Sequence, residues 1–441
     1  MTEQGWVARV CAVIADADAR VLLLEGGDGP CLPSVEVEGT DDPVEFLPVI
    51  REALAGITGV ETSVVRTIER TVDEEHKVLE LDLELAPVGD TTPSAVGVWR
   101  SANELAGVRM SEEDRALIAR HAADLPPPER PPWAHRGWFA EASRWIEDAL
   151  AEHGRSAIAP IEQISSWCIS SILRAETENG RVYFKATARS PLFVNEGIVT
   201  RALATMLPGR VPAPIAVDPE RRWMLLDDFG PVVGWKADLG TRTAVLSTFA
   251  RMQLETTSRQ DELLALGALD RRPVWLASEI RSLLRSPEPL GLEDEERERL
   301  SALEPRFVEM CERLAAGTVP DALVHGDLHL SNVAGDGDAY VFFDWTDACL
   351  THPFLDLLVV LFEEDADLRQ SLRDAYLGVW AGVAPEGELL ELWELAEPLA
   401  SLNQVLSYRS IAANVERGAA PEFDSMIPYW LRKTLASSEQ R

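Results

Sequence analysis

Val7 to Ile14 and Arg20 to Leu24 are short, mostly apolar runs of strand length, Pro48 to Leu54 places apolar residues at helical intervals, and Glu69 to Leu85 ends in strict alternation from Leu79 onward. A period of two sends successive side chains to opposite faces of a strand, and a period near 3.6 gathers them into a stripe on a helix. The pattern therefore predicts paired strands, a short helix and further strand. Val98-Trp99-Arg100 adds a closing strand and Ser111 to Ala123 a helix. The run Leu125-Pro126-Pro127-Pro128-Glu129-Arg130-Pro131-Pro132 cannot continue a helix and favours an extended, semi-rigid spacer. It predicts a first domain over residues 1–125 and a linker over 126–132.

Beyond the linker, Gly137 to His153 places Trp138, Ala142, Trp145, Ile146, Ala149 and Leu150 along one face, an added helix with something to dock against. Asn179-Gly180 is a turn signal, and Arg181-Val182-Tyr183-Phe184-Lys185 after it reads as a strand. Arg222 to Asp228 reads as another. From there the pattern is helical over Thr241 to Met252, Pro273 to Leu284, Leu300 to Ala315 and Phe354 to Trp380, with Glu386 to Arg417 in the same style. The expectation is a β-rich lobe with an added N-terminal helix over 133–228 and a helical lobe over 229–441. Most of the 13 tryptophans are expected in the core, with Trp380, Trp393 and Trp430 as alternative walls for a substrate pocket.

Charge narrows the partners. Asp and Glu number 74 against 41 Lys and Arg, a formal net charge of -33. Such a field repels polynucleotide phosphates and anionic membrane. It would attract a cationic small molecule such as an aminoglycoside, but a generally acidic, soluble surface is the preferred reading of it. No stretch is long enough to span a bilayer, and the start lacks a basic segment followed by an apolar run. The 5 cysteines, Cys11, Cys31, Cys168, Cys311 and Cys349, lack paired metal-ligand spacing and fit a reduced cytoplasm.

The chemistry concentrates in Val324-His325-Gly326-Asp327-Leu328-His329-Leu330-Ser331-Asn332, followed by the apolar run Tyr340 to Phe343 and then Asp344-Trp345. Phosphoryl transfer asks a protein to align an acceptor hydroxyl, neutralise a triphosphate with metal and hold the geometry in line. Asp327 is placed to accept the hydroxyl proton. Asn332 offers an amide oxygen without a second negative charge and Asp344 a carboxylate, a hard oxygen pair suited to Mg2+. Lys185 on its strand would reach nucleotide phosphates. His325, after an apolar strand, is expected to be a structural hydrogen-bonder.

The order of these parts is similar to the catalytic and metal loops of kinases. It departs from a protein kinase: Gly326 stands in place of the usual arginine, Trp345 follows Asp344, no Ala-Pro-Glu segment follows, and Asp228-Phe229-Gly230 lies upstream of the catalytic loop. The run His325 to Asn332, with Asp344-Trp345, Ala348, Pro353 and Asp356-Leu357, resembles the aminoglycoside phosphotransferase and choline kinase-like family. That resemblance covers roughly the last three hundred residues. It implies a two-lobed, protein-kinase-like fold, ATP or GTP as donor, and a small hydroxylated acceptor. It also implies that Glu196 pairs with Lys185, that Arg222 to Asp228, with Asp227, forms the last small-lobe strand and the hinge for adenine, and that Gln163 to Arg174 covers the phosphates. This last segment carries Ser165, Ser166, Ser170 and Ser171 but no glycine, so hydroxyls and backbone amides would do the covering.

The order of elements in residues 1–125 resembles a Nudix domain. Glu45, Arg51-Glu52 and Gly59-Val60 echo its signature helix, but Ala55 and Gly56 stand where that signature needs metal-binding glutamates. A non-catalytic domain that packs, recognises or regulates is the expectation. The whole chain is thus expected to be α+β, a two-lobed protein-kinase-like fold preceded by a small Nudix-like α/β domain. The expected activity is a small-molecule kinase acting on a hydroxyl of an aminoglycoside-like antibiotic or a hydroxylated metabolite. A pseudokinase-like protein that binds nucleotide or a partner without turnover is the second reading. The pattern leaves the oligomeric state open.

Overall fold

The structure is a computed structural model in which residues 6–27, 29–38, 46–73, 75–335, 337, 339–356 and 358–439 are described. The chain forms two compact units, Met1–Ala188 and Arg189–Arg441.

The first unit opens with β1 (Val7–Ile14), β2 (Val21–Gly26), β3 (Gly29–Cys31) and β4 (Ser34–Glu38), followed by α1 (Phe46–Thr58), β5 (Thr62–Asp73), β6 (Val78–Pro87), β7 (Gly97–Arg100), α2 (Ala102–Leu105) and α3 (Glu112–Ala122). One sheet runs β4-β1-β6-β5, with β1 parallel to β6 and antiparallel to β4, and a second runs β3-β2-β7. Alternation explains the packing. Ala8, Val10, Ala12 and Ile14 of β1 join Leu79 and Leu83 under Phe46, Ile50 and Leu54 of α1. Val13, Val21 and Leu23 pack instead with Leu117 of α3. The stretch Glu69 to Leu85, expected as one strand, is two: the charged segment around His76 forms a turn, with the His76 N–H donating to Asp73 Oδ1 at 3.0 Å. Glu45 lies outside the described residues.

The proline-rich segment is tied down at both ends. Arg130 pairs with Asp124, and Arg136 donates to Glu84 Oε1 at 3.1 Å and to the Asp16 carbonyl at 3.2 Å. Beyond it, α4 (Trp138–Glu152) buries Trp138, Ala142, Ile146, Ala149 and Leu150, the stripe its spacing predicts. Trp138 and Trp145 meet Phe184 at ring separations of 6.0 and 5.7 Å. Phe184 belongs to an antiparallel set made by β8 (Glu162–Ser166), β9 (Ser170–Thr177) and β10 (Gly180–Thr187). The β9–β10 turn uses Gly180 at φ 110°, where a side chain would be strained.

The second unit begins with α5 (Glu196–Met206), β11 (Ala216–Asp218) and β12 (Trp223–Asp227), then turns helical with α6 (Leu239–Thr256) and α7 (Gln260–Ala265). After β13 (Leu269–Asp270) come α8 (Pro273–Arg285), α9 (Asp294–Ala302) and α10 (Glu304–Ala316). Short strands β14 (Ala322–Val324), β15 (Val333–Ala334), β16 (Val341–Phe342) and β17 (Cys349–Thr351) carry the chemistry-bearing loops. The chain closes with α11 (Leu358–Leu361), α12 (Ala366–Trp380), α13 (Glu386–Ala412), α14 (Ala420–Asp424) and α15 (Met426–Glu439). Two expected helices are broken. Leu300 to Ala315 divides at Leu303, before a proline in the first turn of α10, and Phe354 to Trp380 divides at Asp365, whose side chain caps α12 by accepting from the Asp367 and Leu368 N–H groups. Trp380, Trp393 and Trp430 are core residues at 0, 4 and 0% exposure. Among the described residues no helix is long and apolar enough to cross a membrane.

Candidate active site

β14 is fully buried and delivers the chain to His325. From there a buried carboxylate shapes the loop: Asp356 Oδ2 accepts the His325 N–H at 2.6 Å, and the Gly326 and Leu328 amides also donate to it. Burial pushes the Asp356 carboxyl up to about 7, against the pull of those bonds. Gly326 sits at φ +86°, and a Cβ there would lie 2.6 Å from both the Cβ and the carbonyl oxygen of Asp347. No arginine fits where a protein kinase carries one. Gln404 Nε2 completes the clamp by donating to the Gly326 carbonyl at 2.9 Å. The Asp327 side chain leaves this fixed loop 44% exposed, open to an acceptor.

Two histidines flank Asp327 differently. His325 is buried against Trp345 at 4.6 Å and donates from Nε2 to the Phe343 carbonyl at 2.8 Å. Burial lowers its pKa, so it is a neutral strut, as expected. His329 places Nε2 3.6 Å from Asp327 Oδ2, and Trp235 stacks on its ring at 5.5 Å and 22°.

Asn332 and Asp344 are brought together by a hairpin. β15 pairs with β16, Val333 opposite Phe342, and the Phe343 N–H donates to the Asn332 carbonyl at 3.1 Å. The two residues therefore flank the open end of the hairpin. Asn332 Nδ2 donates to the Asp327 carbonyl at 3.0 Å, which leaves the amide oxygen as its donor atom for a cation. Asp344 has φ 65° and ψ 58°, a left-handed conformation that aspartate tolerates better than most residues, and its Oδ1 accepts from Thr346 Oγ1 at 2.8 Å. Trp345 turns inward and donates from Nε1 to the Phe342 carbonyl at 2.8 Å. Asp347 is buried nearby; burial pushes its carboxyl up to about 7, opposed by Arg271 and reinforced by the charges of Asp327 and Asp344. This crowding of negative charge, with an amide and a carboxylate oxygen at its edge, fits a hard divalent cation.

The remaining expected residues are spread across both units. Lys185 is half-buried on β10, opposite Ile172 of β9. Glu196 opens α5 at 1% exposure, where the helix N-terminus favours its charge. Asp227 is exposed at the end of β12. In the upstream Asp-Phe-Gly, Asp228 Oδ1 accepts the Gly230 N–H at 2.9 Å, a local turn, and Phe229 packs on Phe343 at 4.8 Å. Trp235, Asp347 and Gln404 escaped the sequence reading. Trp235 is 43% exposed in a segment punctuated by Gly230, Pro231 and Gly234, and a large aromatic in such a loop is the one local signal that pointed to it.

A solvent-facing carboxylate on a clamped loop, whose main chain is bonded by an asparagine at the end of a hairpin that also carries a second carboxylate, is an arrangement suited to phosphoryl transfer. The model of the phosphotransferase enzyme family matches residues 160–386, more than half of the chain. The chain belongs to that family and has its mixed α+β, protein-kinase-like fold. Among solved structures, it is 15% identical to a macrolide 2'-phosphotransferase type I, with 64% of this chain and 96% of that one covered at a TM-score of 0.48. A choline/ethanolamine kinase family protein from Mesorhizobium loti is 17% identical, with 69% and 100% covered and a TM-score of 0.47. A macrolide 2'-phosphotransferase from Brachybacterium faecium is 16% identical, with 65% and 98% covered and a TM-score of 0.45. No curated protein matches the chain. Likenesses this distant do not carry an acceptor over to it.

Proposed function

We propose that this protein is a small-molecule kinase that transfers the γ-phosphoryl group of ATP or GTP to a hydroxyl of an aminoglycoside-like antibiotic or of a hydroxylated metabolite. The observation that carries this reading is the bond from Asn332 Nδ2 to the Asp327 carbonyl, together with the hairpin that sets Asp344 beside Asn332. One side chain links the base to the oxygen donors. Asp327 orients the acceptor hydroxyl and takes its proton as the new ester forms. Asn332 Oδ1 and the Asp344 carboxylate would hold Mg2+, which supplies charge neutralisation on the phosphates when bound. Lys185, Glu196 and Asp227 are assigned to the nucleotide, and the turn between β8 and β9 to covering its phosphates. Asp356, Gly326 and Gln404 hold the base still, so little reorganisation is left for the reactive complex.

The acid-rich surface and the exposed Trp235 beside His329 favour an acceptor with a positive charge and a flat or apolar face. The test is consumption of ATP and of GTP by the purified protein with magnesium against a panel of hydroxylated antibiotics, amino alcohols and sugars. Turnover with one acceptor class supports the reading. Nucleotide binding without turnover on any of them would favour the pseudokinase-like alternative.

A further inference from the structure

The turn assigned to the phosphates contains no glycine, so its shape must be imposed from outside rather than allowed by a flexible backbone. Two bonds within the first unit do this. Gln163, on β8 just before the turn, is completely buried, and its side-chain amide satisfies both backbone groups of one residue of β5: Oε1 accepts the Val64 N–H at 2.8 Å and Nε2 donates to the Val64 carbonyl at 3.1 Å. β5 is the edge strand of its sheet, and residues along an antiparallel edge alternately present their N–H and C=O outward. Gln163 pairs with that open edge as a further strand would. The Gln163 carbonyl in turn accepts from Arg51 Nη1 at 3.2 Å, while Arg51 Nε donates to the Thr62 carbonyl at 2.6 Å. Arg51 thus faces the following strands, and the residue that echoes a nucleotide-hydrolase signature grips β8.

The register of β8 against β9 slips immediately after Gln163, between it and Ser165. This bulge opens into Ser166-Trp167-Cys168. At the tip, Trp133 Nε1 donates to the Trp167 carbonyl at 2.6 Å, and Trp133 itself is 3% exposed and packed edge-on against Trp138 at 6.3 Å. Ser171 Oγ closes the turn by donating to the Ser165 carbonyl at 3.1 Å. The turn is therefore held at its root by the N-terminal sheet and at its tip by the residue that follows the proline-rich segment.

We infer that the N-terminal domain is the scaffold of the phosphate-covering turn, with Gln163 and Trp133 as positioning residues for nucleotide binding; this rests on the kinase reading above. Residues 1–133 then replace the glycines that the turn lacks. The test uses full-length protein and magnesium–ATP as the probe. Trp133→Phe keeps an aromatic side chain but removes the N–H together with part of the indole, and Gln163→Leu keeps roughly the volume and removes both amide bonds. Each lost buried bond should weaken magnesium–ATP binding about tenfold in calorimetry. Hydrogen exchange of the 164–170 amides should quicken by a similar factor in nucleotide-free Trp133→Phe, and the KM for the acceptor should stay at the wild-type value. If Gln163→Leu does not fold, Trp133→Phe decides alone. Wild-type affinity and wild-type exchange in the folded variants overturn the inference while leaving the kinase reading intact. A wild-type protein that does not bind magnesium–ATP overturns the kinase reading, and this inference with it.

Discussion

The role proposed for Asp327 rests on how little its neighbours can move. Gly326 has no room for a Cβ, its carbonyl is taken by Gln404, and Asp356 gathers the amides on either side of Asp327. A base held this way should respond to a change of charge without a change of fold. Asp327→Asn is expected to keep its affinity for magnesium–ATP and to lose turnover by about a hundredfold or more, the usual contribution of a positioned general base. Steady-state rates for the variant matching those of the wild type would remove Asp327 from the mechanism. Asp327, Asn332 and Asp344 could be proposed from the sequence because phosphoryl-transfer chemistry asks for those residue types in that order. Asp347 and Gln404 were not legible: they meet Gly326 from 21 and 78 residues away, and no local pattern encodes such a meeting.

At the scale of elements, the β15–β16 hairpin sets Asn332 and Asp344, the proposed donor pair, at its open end. Asp344→Ala should abolish the magnesium dependence of nucleotide binding, and chelation of the wild type should reproduce that loss. Equal affinities with and without magnesium in both proteins, measured by calorimetry, would contradict the assignment. A second junction joins β5, β6, α3 and the end of the proline-rich segment: Glu84 accepts from Arg66 at 2.9 Å and from Arg136 at 3.1 Å and lies 3.3 Å from His121. Burial alone would raise the Glu84 pKa, but the bond from His121 and the charges of Arg66 and Arg136 outweigh it and hold the carboxyl at about 2. Because that value lies below the 4.5 of the unfolded group, the stabilisation is complete above pH 4.5 and is lost as pH falls through about 2. Its size is on the order of 3 kcal/mol. Glu84→Gln should be less stable than the wild type at neutral pH, and the gap should close on acidification toward the folded-state pKa. A gap in denaturant midpoint that stays constant with pH would refute this account of the junction.

For the whole molecule, the first compact unit does not end at the proline-rich segment but runs to Ala188 and includes the first three strands after α4. The helix that echoes a Nudix signature has Ala55 and Gly56 in place of glutamates, and its Arg51 is committed to Thr62 and Gln163. Diphosphate hydrolysis needs a carboxylate cluster to hold ions that polarise water. Full-length protein is therefore expected to release no monophosphate from nucleoside diphosphate compounds with magnesium. Robust release that Glu52→Gln abolishes would make the chain a bifunctional hydrolase and kinase.

What the sequence determined by itself was whatever short-range physics encodes. Apolar runs bounded by turn signals marked the strands from Val7 to Ile14 and Arg181 to Lys185, the 3.6-residue stripe marked α4, and the order of Asp327, Asn332 and Asp344 pointed to phosphoryl-transfer chemistry. Chain breaks were less legible, since the charged turn near His76 and the charged, capped break at Asp365 each lie between apolar stretches of the same kind on either side. Only the tertiary structure decided that Gln163 fills the edge of β5, that Trp133 holds the Trp167 carbonyl, and that Trp235 lies on His329. Each is a single contact between segments far apart in the chain. Its energy depends on a shared burial that no window of neighbouring residues contains.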